Sequence, residues 1–289
     1  MKIAMNRLRR TFISLAICVG FLFLSLFILY KIQLNASITQ NVTYSKFEDS
    51  YLISHAGGGL NAGRYSNSKE ALDQSVDNGH KYIEIDITQT QNGEWVLMHS
   101  WKEHYFKYFI RFRDYPTYLF NRDKSAPQTA ADFKNMKMRY ELTPMTLKDF
   151  GEWLKDNPHV TIVTDIKGSN YECLKLIKNM MDGHTNQIIP QIYRPEEYSG
   201  VKQLGYNDII LTTYRYTLTP DRLKSLSKFA TDNELFALTV PQKWINKDMG
   251  LWNAKNSTRL FTHTINNINT AQDYKSLGVS GFYTDYMIP

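Results

Sequence analysis

The chain has 289 residues, of which 43% are hydrophobic and 21% are charged, so it can bury a substantial core and its composition excludes a disordered protein. Five of the 34 basic residues lie in the first 31 positions. The other 29 are nearly balanced in number by the 28 acidic residues, so the net charge of +6 belongs almost entirely to the amino terminus. A domain this close to neutral has no overall field to steer phosphates, which excludes nucleic acid as a partner.

The first predicted element is a transmembrane helix. Thr11 to Tyr30 contains no charged residue, and twenty helical residues span a hydrocarbon core of about 30 Å. Arginines before this run favour an amino terminus inside the cell. We therefore predict an uncleaved signal anchor over residues 1–31, a polar stalk over 32–50, and a single-pass membrane protein whose remaining residues lie on the extracytoplasmic side. A cleaved signal peptide is the alternative.

From Tyr51 onward, short apolar runs alternate with stretches of helical character. Eight runs have strand character: "YLISH", "YIEIDIT", "VTIVTDI", "QIIPQI", "DIILTT", "LFALTV", "RLFTHT" and "SGFYT". Eight strands that alternate with helices over about 240 residues have the size and rhythm of a (β/α)8 TIM barrel, an α/β fold, which we predict for residues 51–289. An open doubly wound sheet is the alternative.

A histidine, His55, ends the first predicted strand, and three glycines at positions 57–59 follow it. Glycine permits positive φ and lets a ligand approach the backbone closely. The glycine amides could also be exposed to an anion. His55 is therefore a candidate catalytic residue at the mouth of the barrel, and a buried structural histidine is the alternative.

The second strand carries two acidic residues on one face. Because side chains alternate along a strand, Glu84 and Asp86 point away from the isoleucines between and beside them. In a barrel the apolar face meets the helices, so both carboxylates point inward. They repel each other unless a cation lies between them or one is protonated.

The next stretch predicts a hairpin that brings a second histidine to these carboxylates. Asn92-Gly93 between two β-prone runs favours a two-residue turn. Counting outward from that turn places His99 directly across from Asp86 on the same face. A slip of one residue would turn His99 to the other face.

An insertion at 101–141 interrupts the alternation of strands and helices. It contains eleven aromatic residues among 41, and nine basic residues against five acidic ones. One interpretation is a surface subdomain with a small core of its own. The other is a lid over the mouth of the barrel that offers aromatic and basic contacts to a phosphate-bearing substrate.

Asp165 and Lys167 share one face at the end of a later strand, in "VTIVTDIKGS". Together with Glu84 and Asp86 they offer a third carboxylate and a cation for a phosphate. A solvated ion pair is the alternative interpretation.

These motifs, in this order, resemble the glycerophosphodiester phosphodiesterase family. "ISHAGGG" followed by "SNSKEALDQSVDNGHKYIEIDITQTQNGEWVLMHS" is similar to its opening, and "THTINN" and "GVSGFYTDY" are similar to its closing segments. The resemblance covers residues 52–286. It implies a phosphodiesterase on a TIM barrel that binds one divalent metal ion, Mg²⁺ or Ca²⁺, and cleaves a glycerophosphodiester, a lysophospholipid or a glycerophosphate polymer.

The resemblance also implies roles for the candidate residues. His55 and His99 would be the general acid/base pair, Glu84, Asp86 and Asp165 the metal ligands, and Lys167 a phosphate contact. These roles are chemically consistent, because hard oxygen ligands suit Mg²⁺ and Ca²⁺ and imidazole exchanges protons near neutral pH.

The sequence departs from the family pattern in three places. The arginine after the first histidine is Ala56, the Glu-Asn-Thr segment reads Ser66-Asn67-Ser68, and the third metal ligand is Asp165 rather than Glu. The Asp-x-Lys at this place is also similar to the sphingomyelinase D branch of the same superfamily. The alternative to an enzyme is a degenerate barrel that acts as a binding or scaffold protein at the cell surface.

Overall fold

The computed structural model describes residues 17–25, 43–49, 51–109, 126–183, 185–245 and 258–289. Residues 17–25 belong to one compact unit and form an exposed helix, and the second unit runs from residue 43 to the carboxyl end without residues 61–63. In the described part of the chain, no helix has the length and apolarity needed to cross a membrane. The rest of the predicted anchor, and the predicted stalk up to residue 42, lie outside the described residues.

The strands of the second unit form a closed barrel. They are β1 (Ser45–Lys46), β2 (Leu52–Ser54), β3 (Tyr82–Gln89), β4 (Trp95–Leu97), β5 (Thr161–Ile166), β6 (Ile188–Ile192), β7 (Ile210–Thr212), β8 (Ala237–Pro241), β9 (Arg259–His263), β10 (Gly281–Thr284) and β11 (Met287–Ile288). Eight of them pair in parallel in the order β2-β10-β9-β8-β7-β6-β5-β3, and β2 also pairs with β3. This closure confirms the predicted TIM barrel and rules out the open doubly wound sheet.

Two short strands lie outside the barrel ring. β1 pairs in parallel with β11, so residues 45–46 of the predicted stalk belong to the folded unit. β4 pairs in antiparallel fashion with the upper end of β3. The hairpin therefore explains why "WVL" is not a ninth barrel strand.

Helices follow most of the barrel strands. They are α1 (Lys69–Asp77), α2 (Glu103–Tyr108), α3 (Ala130–Lys134), α4 (Leu147–Asp156), α5 (Asn170–Met180), α6 (Tyr198–Gln203), α7 (Pro220–Asp232) and α8 (Ile268–Ser276). Polar side chains cap the longer ones by accepting a hydrogen bond from the first turn, which is why the helices begin where they do. At α4, Thr146 and Asp149 form a capping box.

The barrel has two apolar layers that follow from strand alternation. Ile83, Ile85 and Ile87 are fully buried between the strands and the helices. The interior holds a separate cluster, to which most of the barrel strands contribute: Ile53, Val163, Ile189, Ile210, Ala237, Phe261 and Tyr283.

The polar end of the barrel interior continues this same inward face. Two residues after Ile53, Val163, Phe261 and Tyr283 come His55, Asp165, His263 and Asp285. Because side chains two apart share a face, these polar residues lie above the apolar plug at the carboxyl ends of the strands. Active sites of TIM barrels are built at that end.

The β3–β4 hairpin does not have the predicted register. Ile87 pairs with Leu97 and Gln89 with Trp95, so the turn is one residue longer than the predicted Asn-Gly turn. The amide of Met98 donates to the carbonyl of Asp86, so Met98 rather than His99 lies opposite Asp86. The prediction was wrong because Thr90 bonds with Glu94 and Gly93 across a three-residue loop.

The described parts of the insertion, 101–109 and 126–141, pack around Phe133 of α3. Phe133 is fully buried, and the rings of Trp101 and Phe109 lie 5.8 and 5.4 Å from it. The insertion thus has aromatic packing of its own, while α2 also brings residues to the barrel mouth. Residues 110–125 lie outside the described part of the chain.

Candidate active site

Three carboxylates meet at the carboxyl ends of β3 and β5, as the alternation of side chains predicts. Oxygen atoms of Glu84, Asp86 and Asp165 all lie within 4.8 Å of one another. The ammonium of Lys167 is 2.9 Å from Asp86 Oδ1 and 2.6 Å from Asp165 Oδ2. We call these four residues the carboxylate cluster. Glu84 and Asp86 are only 2% and 1% exposed, so the inward direction predicted for them is correct.

Backbone and amide groups hold the carboxylates in place. Asn67 donates from Nδ2 to Asp86 Oδ2 (3.0 Å), and its Oδ1 accepts the Asp86 amide (2.9 Å). The amide of Ala56 donates to Glu84 Oε2 at 2.7 Å. Asn67 is the middle residue of the segment that departs from the family pattern, and it fixes a predicted metal ligand from both sides.

The cluster is electrostatically unbalanced. Burial raises the pKa of Glu84 well above its ordinary value, and the negative charges of Asp86 and Asp165 raise it further. Burial alone would also raise the pKa of Asp86, but Lys167 and His99 outweigh it and lower that pKa to about 2. Burial also raises the pKa of Asp165, against the effect of Lys167. The single ammonium of Lys167 therefore has to offset the charges of three carboxylates that repel one another.

The residues of the cluster fit a divalent cation. Asp165 Oδ1 is buried and has no hydrogen-bond partner within the described chain, so one oxygen of the trio is left without a donor. Three carboxylates and one ammonium leave a charge of about −2 when all are ionised. Hard oxygen ligands of this kind bind Mg²⁺ or Ca²⁺, whose charge would cancel the excess.

His55 is buried beside the cluster and is oriented by a carboxylate. Its Nδ1 lies 3.0 Å from Asp285 Oδ1 and 3.2 Å from the hydroxyl of Thr264. Asn266 fixes Asp285 in turn, donating to Oδ2 at 2.8 Å and accepting the Asp285 amide at 2.7 Å. Burial alone would raise the pKa of Asp285, but His55, Asn266 and Arg64 together outweigh it and the pKa is lowered.

His99 reaches the site although the predicted register is wrong. It lies two residues beyond the end of β4, so the pairing of the strand does not dictate its direction. Burial lowers its pKa, Asp86 opposes this effect, and its Nδ1 has no hydrogen-bond partner among the described residues. Its ring lies 4.2 Å from the ring of His104, which α2 supplies.

A tyrosine joins the two predicted catalytic histidines. The ring of Tyr65 lies 4.5 Å from His55, 5.8 Å from His99 and 5.0 Å from His104. Tyr65 has a positive φ of 66°, a conformation that is uncommon for an aromatic residue. The structure thus brings all six predicted site residues to one end of the barrel.

Two of the three glycines have the predicted positive φ, 81° at Gly57 and 98° at Gly58, but the close approaches they allow are made within the protein. A Cβ on Gly58 would lie 2.6 Å from Ser54 Oγ and 2.4 Å from Ser75 Oγ, and one on Gly59 would lie 2.1 Å from the ring of Tyr286. The amides of Gly58 and Gly59 donate to the carbonyls of His55 and Asp285. The glycines therefore permit close packing within the protein, and these two amides do not offer themselves to an anion.

Several residues of the site were not selected from the sequence: Tyr65, Asn67, His104, His263, Asn266 and Asp285. His263 lies at the end of β9 with its ring 5.5 Å from that of His55, and burial lowers its pKa to about 3. Asp285 and Asn266 stand in the closing motifs, where their order along the chain was a usable signal. Tyr65 comes from an irregular segment and His104 from a short helix of the insertion, and neither offered such a signal.

The comparisons with known proteins concern the family and the fold. Residues 55–288 match the sequence profile of the Glycerophosphoryl diester phosphodiesterase family. The comparison with curated protein sequences found no match. Among solved structures, a glycerophosphodiester phosphodiesterase from Parabacteroides distasonis is 13% identical, with a TM-score of 0.61 over 83% of this chain and 94% of that one.

Two further solved structures are similar in fold. The glycerophosphodiester phosphodiesterase from Thermotoga maritima is 15% identical, with a TM-score of 0.59 over 83% of this chain and 96% of that chain. A phosphodiesterase from Oleispira antarctica, solved in complex with its product sn-glycerol-3-phosphate, is 14% identical, with a TM-score of 0.59 over 82% and 93%.

Proposed function

The chain belongs to the glycerophosphoryl diester phosphodiesterase family and is a phosphoric diester hydrolase, and from this premise we propose that it is a membrane-anchored, metal-dependent enzyme. Its substrate is a glycerophosphodiester, a lysophospholipid or a glycerophosphate polymer. One observation carries the proposal: three carboxylates converge within 4.8 Å beside two histidines that both contact Tyr65. The product bound in the Oleispira antarctica structure supports a substrate that contains glycerol phosphate.

Glu84, Asp86 and Asp165 hold the divalent ion in this proposal, and Lys167 lies beside them. The ion would supply charge neutralisation for the phosphate oxygens. Lys167 adds a positive charge fixed by two carboxylates, so it is in place before substrate arrives.

His55 is oriented to accept a proton. Because Asp285 is an acceptor, the His55 nitrogen that faces it carries the hydrogen, which leaves Nε2 with a lone pair. We assign His55 Nε2 to the proton of the attacking hydroxyl. His99, on the other side of Tyr65, is then the group that protonates the leaving alkoxide.

The test uses purified full-length protein with glycerophosphocholine, glycerophosphoethanolamine and lysophosphatidylcholine, with and without a chelator. Turnover is expected to disappear with chelator and return with Mg²⁺ or Ca²⁺, and to be lost in His55→Ala and Glu84→Ala. The matched control is Glu152→Ala, an exposed glutamate on α4 paired with Lys148, which should behave as wild type. Turnover unaffected by chelator and by both site variants would refute the proposal, and absence of both turnover and metal binding would favour a scaffold.

The anchor and its orientation are part of the same proposal. The uncharged run from Thr11 to Tyr30 and the arginines that precede it support a single-pass protein with its barrel on the extracytoplasmic side. Carbonate-washed membranes should retain the full chain, and protease added to intact cells or spheroplasts should degrade the barrel. Release into the wash, or protection from the protease, would refute this part alone.

A further inference from the structure

Two cations at the mouth are not explained by the proposed chemistry. Arg64 lies in the loop between the glycines and α1, and Lys107 lies on α2 of the insertion. Lys107 Nζ donates to the carbonyl of Arg64 at 2.9 Å, and the hydroxyl of Tyr108 donates to the same oxygen. We call Arg64 and Lys107 the rim pair, since these bonds hold the two segments, and thus the two charges, together.

The rim pair lies outside the reacting centre. Arg64 Nη1 is 3.3 Å from Asp285 Oδ2, while the other oxygen of that carboxylate binds His55. Asp285 therefore stands between Arg64 and the catalytic histidine. An anion bound to Arg64 would therefore be separated by the Asp285 side chain from a phosphate held between His55 and the carboxylate cluster.

Among the described residues, the rim pair carries more positive charge than neighbouring carboxylates cancel. No carboxylate in the described parts of the chain lies within ion-pair distance of Lys107 Nζ, whose near groups are the Arg64 carbonyl and the Tyr108 ring at 4.8 Å. Asp285 is shared among Arg64, His55 and Asn266.

Both side chains remain reachable from solvent. The Arg64 side chain is 53% exposed, and Lys107 is half-buried. Burial lowers the pKa of Lys107 and the charge of Arg64 lowers it further, while the charge of Asp285 opposes both effects only in part. A second anion placed between the two would relieve the repulsion that these charges exert on each other.

We propose that Arg64 and Lys107 bind a second negatively charged group of the substrate, so that the enzyme prefers glycerophosphodiesters with another anionic group beside the scissile phosphate. The inference rests on the proposed function. The scissile phosphate itself is accounted for by Lys167 and the carboxylate cluster. A phosphate or carboxylate farther along the substrate matches the two fixed donors of the rim pair.

Matched substrates test this inference in the full-length protein. Bis(glycerophospho)glycerol and glycerophosphoglycerol share the scissile bond and differ by one additional phosphodiester. Glycerophosphoserine and glycerophosphoethanolamine differ by one carboxylate. Wild type should have the higher kcat/KM for the more anionic member of at least one pair. The pair in which the preference appears identifies the second group as phosphate or carboxylate. The preference should weaken with added salt.

The variants Arg64→Ala and Lys107→Met should lower this selectivity ratio on the order of tenfold, the value of one charge-assisted hydrogen bond. Arg64→Lys should retain part of it. Arg222→Ala, an exposed arginine on α7, is the matched control and should leave the ratio unchanged. Equal wild-type rates within both substrate pairs, or equal losses on both members in the variants, would overturn the inference while hydrolysis itself continued. Loss of all hydrolysis in wild type would instead refute the proposed function.

Discussion

The carboxylate cluster and the rim pair are two polar regions of one barrel mouth, and they are built differently. Three members of the cluster lie on β3 and β5 and the fourth, Lys167, follows β5 directly, so the pleat of neighbouring strands places their side chains. The rim pair comes from a loop and from the insertion, and only hydrogen bonds to one carbonyl place it. The difference indicates that the strands provide the chemistry, whereas the loops decide what reaches it.

The two regions also differ in their charge. The carboxylate cluster is buried and carries more negative charge than Lys167 offsets, whereas the rim pair is positive and half-exposed. Asp285 links them, since it binds His55 on one oxygen and Arg64 on the other. If this division is correct, substitutions in the cluster abolish turnover, and substitutions at the rim change substrate choice.

The largest effect is expected in the cluster. Glu84→Gln removes one oxygen ligand charge, and kcat/KM should fall roughly a thousandfold, since a metal ion contributes several kcal/mol to charge stabilisation. Isothermal titration calorimetry should show weakened binding of Mg²⁺ or Ca²⁺ in parallel. A variant that binds metal normally yet is inactive would assign Glu84 a role other than ligand.

The second largest effect on kcat/KM distinguishes His99 from His104, whose rings are in contact. His99→Gln should lower kcat/KM by roughly 10²–10³, the usual contribution of general acid–base catalysis. His104→Gln, in the ring that packs on His99, should change it by less than about fivefold, because its pKa of about 4 keeps it neutral at working pH. Steady-state kinetics on both variants check this order. Equal losses of kcat/KM in the two variants would show that His104 also takes part in catalysis.

Asp285 tests the link between the two regions. Asp285→Asn keeps the shape of the side chain but removes the charge that orients His55, so kcat should fall roughly 10- to 100-fold with a smaller change in KM. Thr264→Val, which removes only the weaker contact to His55 Nδ1, is the matched comparison and should cost less. An effect on KM alone would show that Asp285 serves the rim and not His55.

The smallest expected effect concerns stability. Because the pKa of Glu84 is raised in the folded state, the metal-free protein is stabilised at low pH and loses this contribution as pH rises through that pKa. Thermal unfolding in chelator should therefore show Tm falling as pH increases above about 4.5, the ordinary value for glutamate. Glu84→Gln or added Mg²⁺ should remove roughly 2–4 °C of that fall, the shift that about 1 kcal/mol produces in a domain of this size.

The opposite sign applies to Asp86. Its pKa is lowered to about 2, so its contribution is present above its ordinary value of 3.8 and is lost as pH falls towards 2. An Asp86→Asn variant should lack this acid-side loss. A pH profile of Tm that is flat on both sides in wild type would contradict the described charge imbalance.

The sequence was sufficient for the barrel and for the carboxylates. Its eight predicted strands all occur, and Glu84, Asp86 and Asp165 point inward as the alternation requires. A period of two along a strand is a local property, and a closed parallel sheet brings the ends of its strands together whatever the details of packing. The barrel fold and the direction of the three carboxylates therefore follow from the sequence pattern alone.

Only the tertiary structure decided the rest. The hairpin closes over a three-residue loop, with Thr90 bonded to Glu94 and Gly93, instead of the predicted two-residue turn, and the glycines make room for Ser75 and Tyr286. Arg64 and Tyr65, in a loop, meet Lys107 of α2 because the loop and the helix share one carbonyl and one patch of rings. No periodicity in the sequence predicts these contacts. The loop and the helix of the insertion are positioned by contacts between residues that are distant in sequence, and those contacts form only once the barrel has closed.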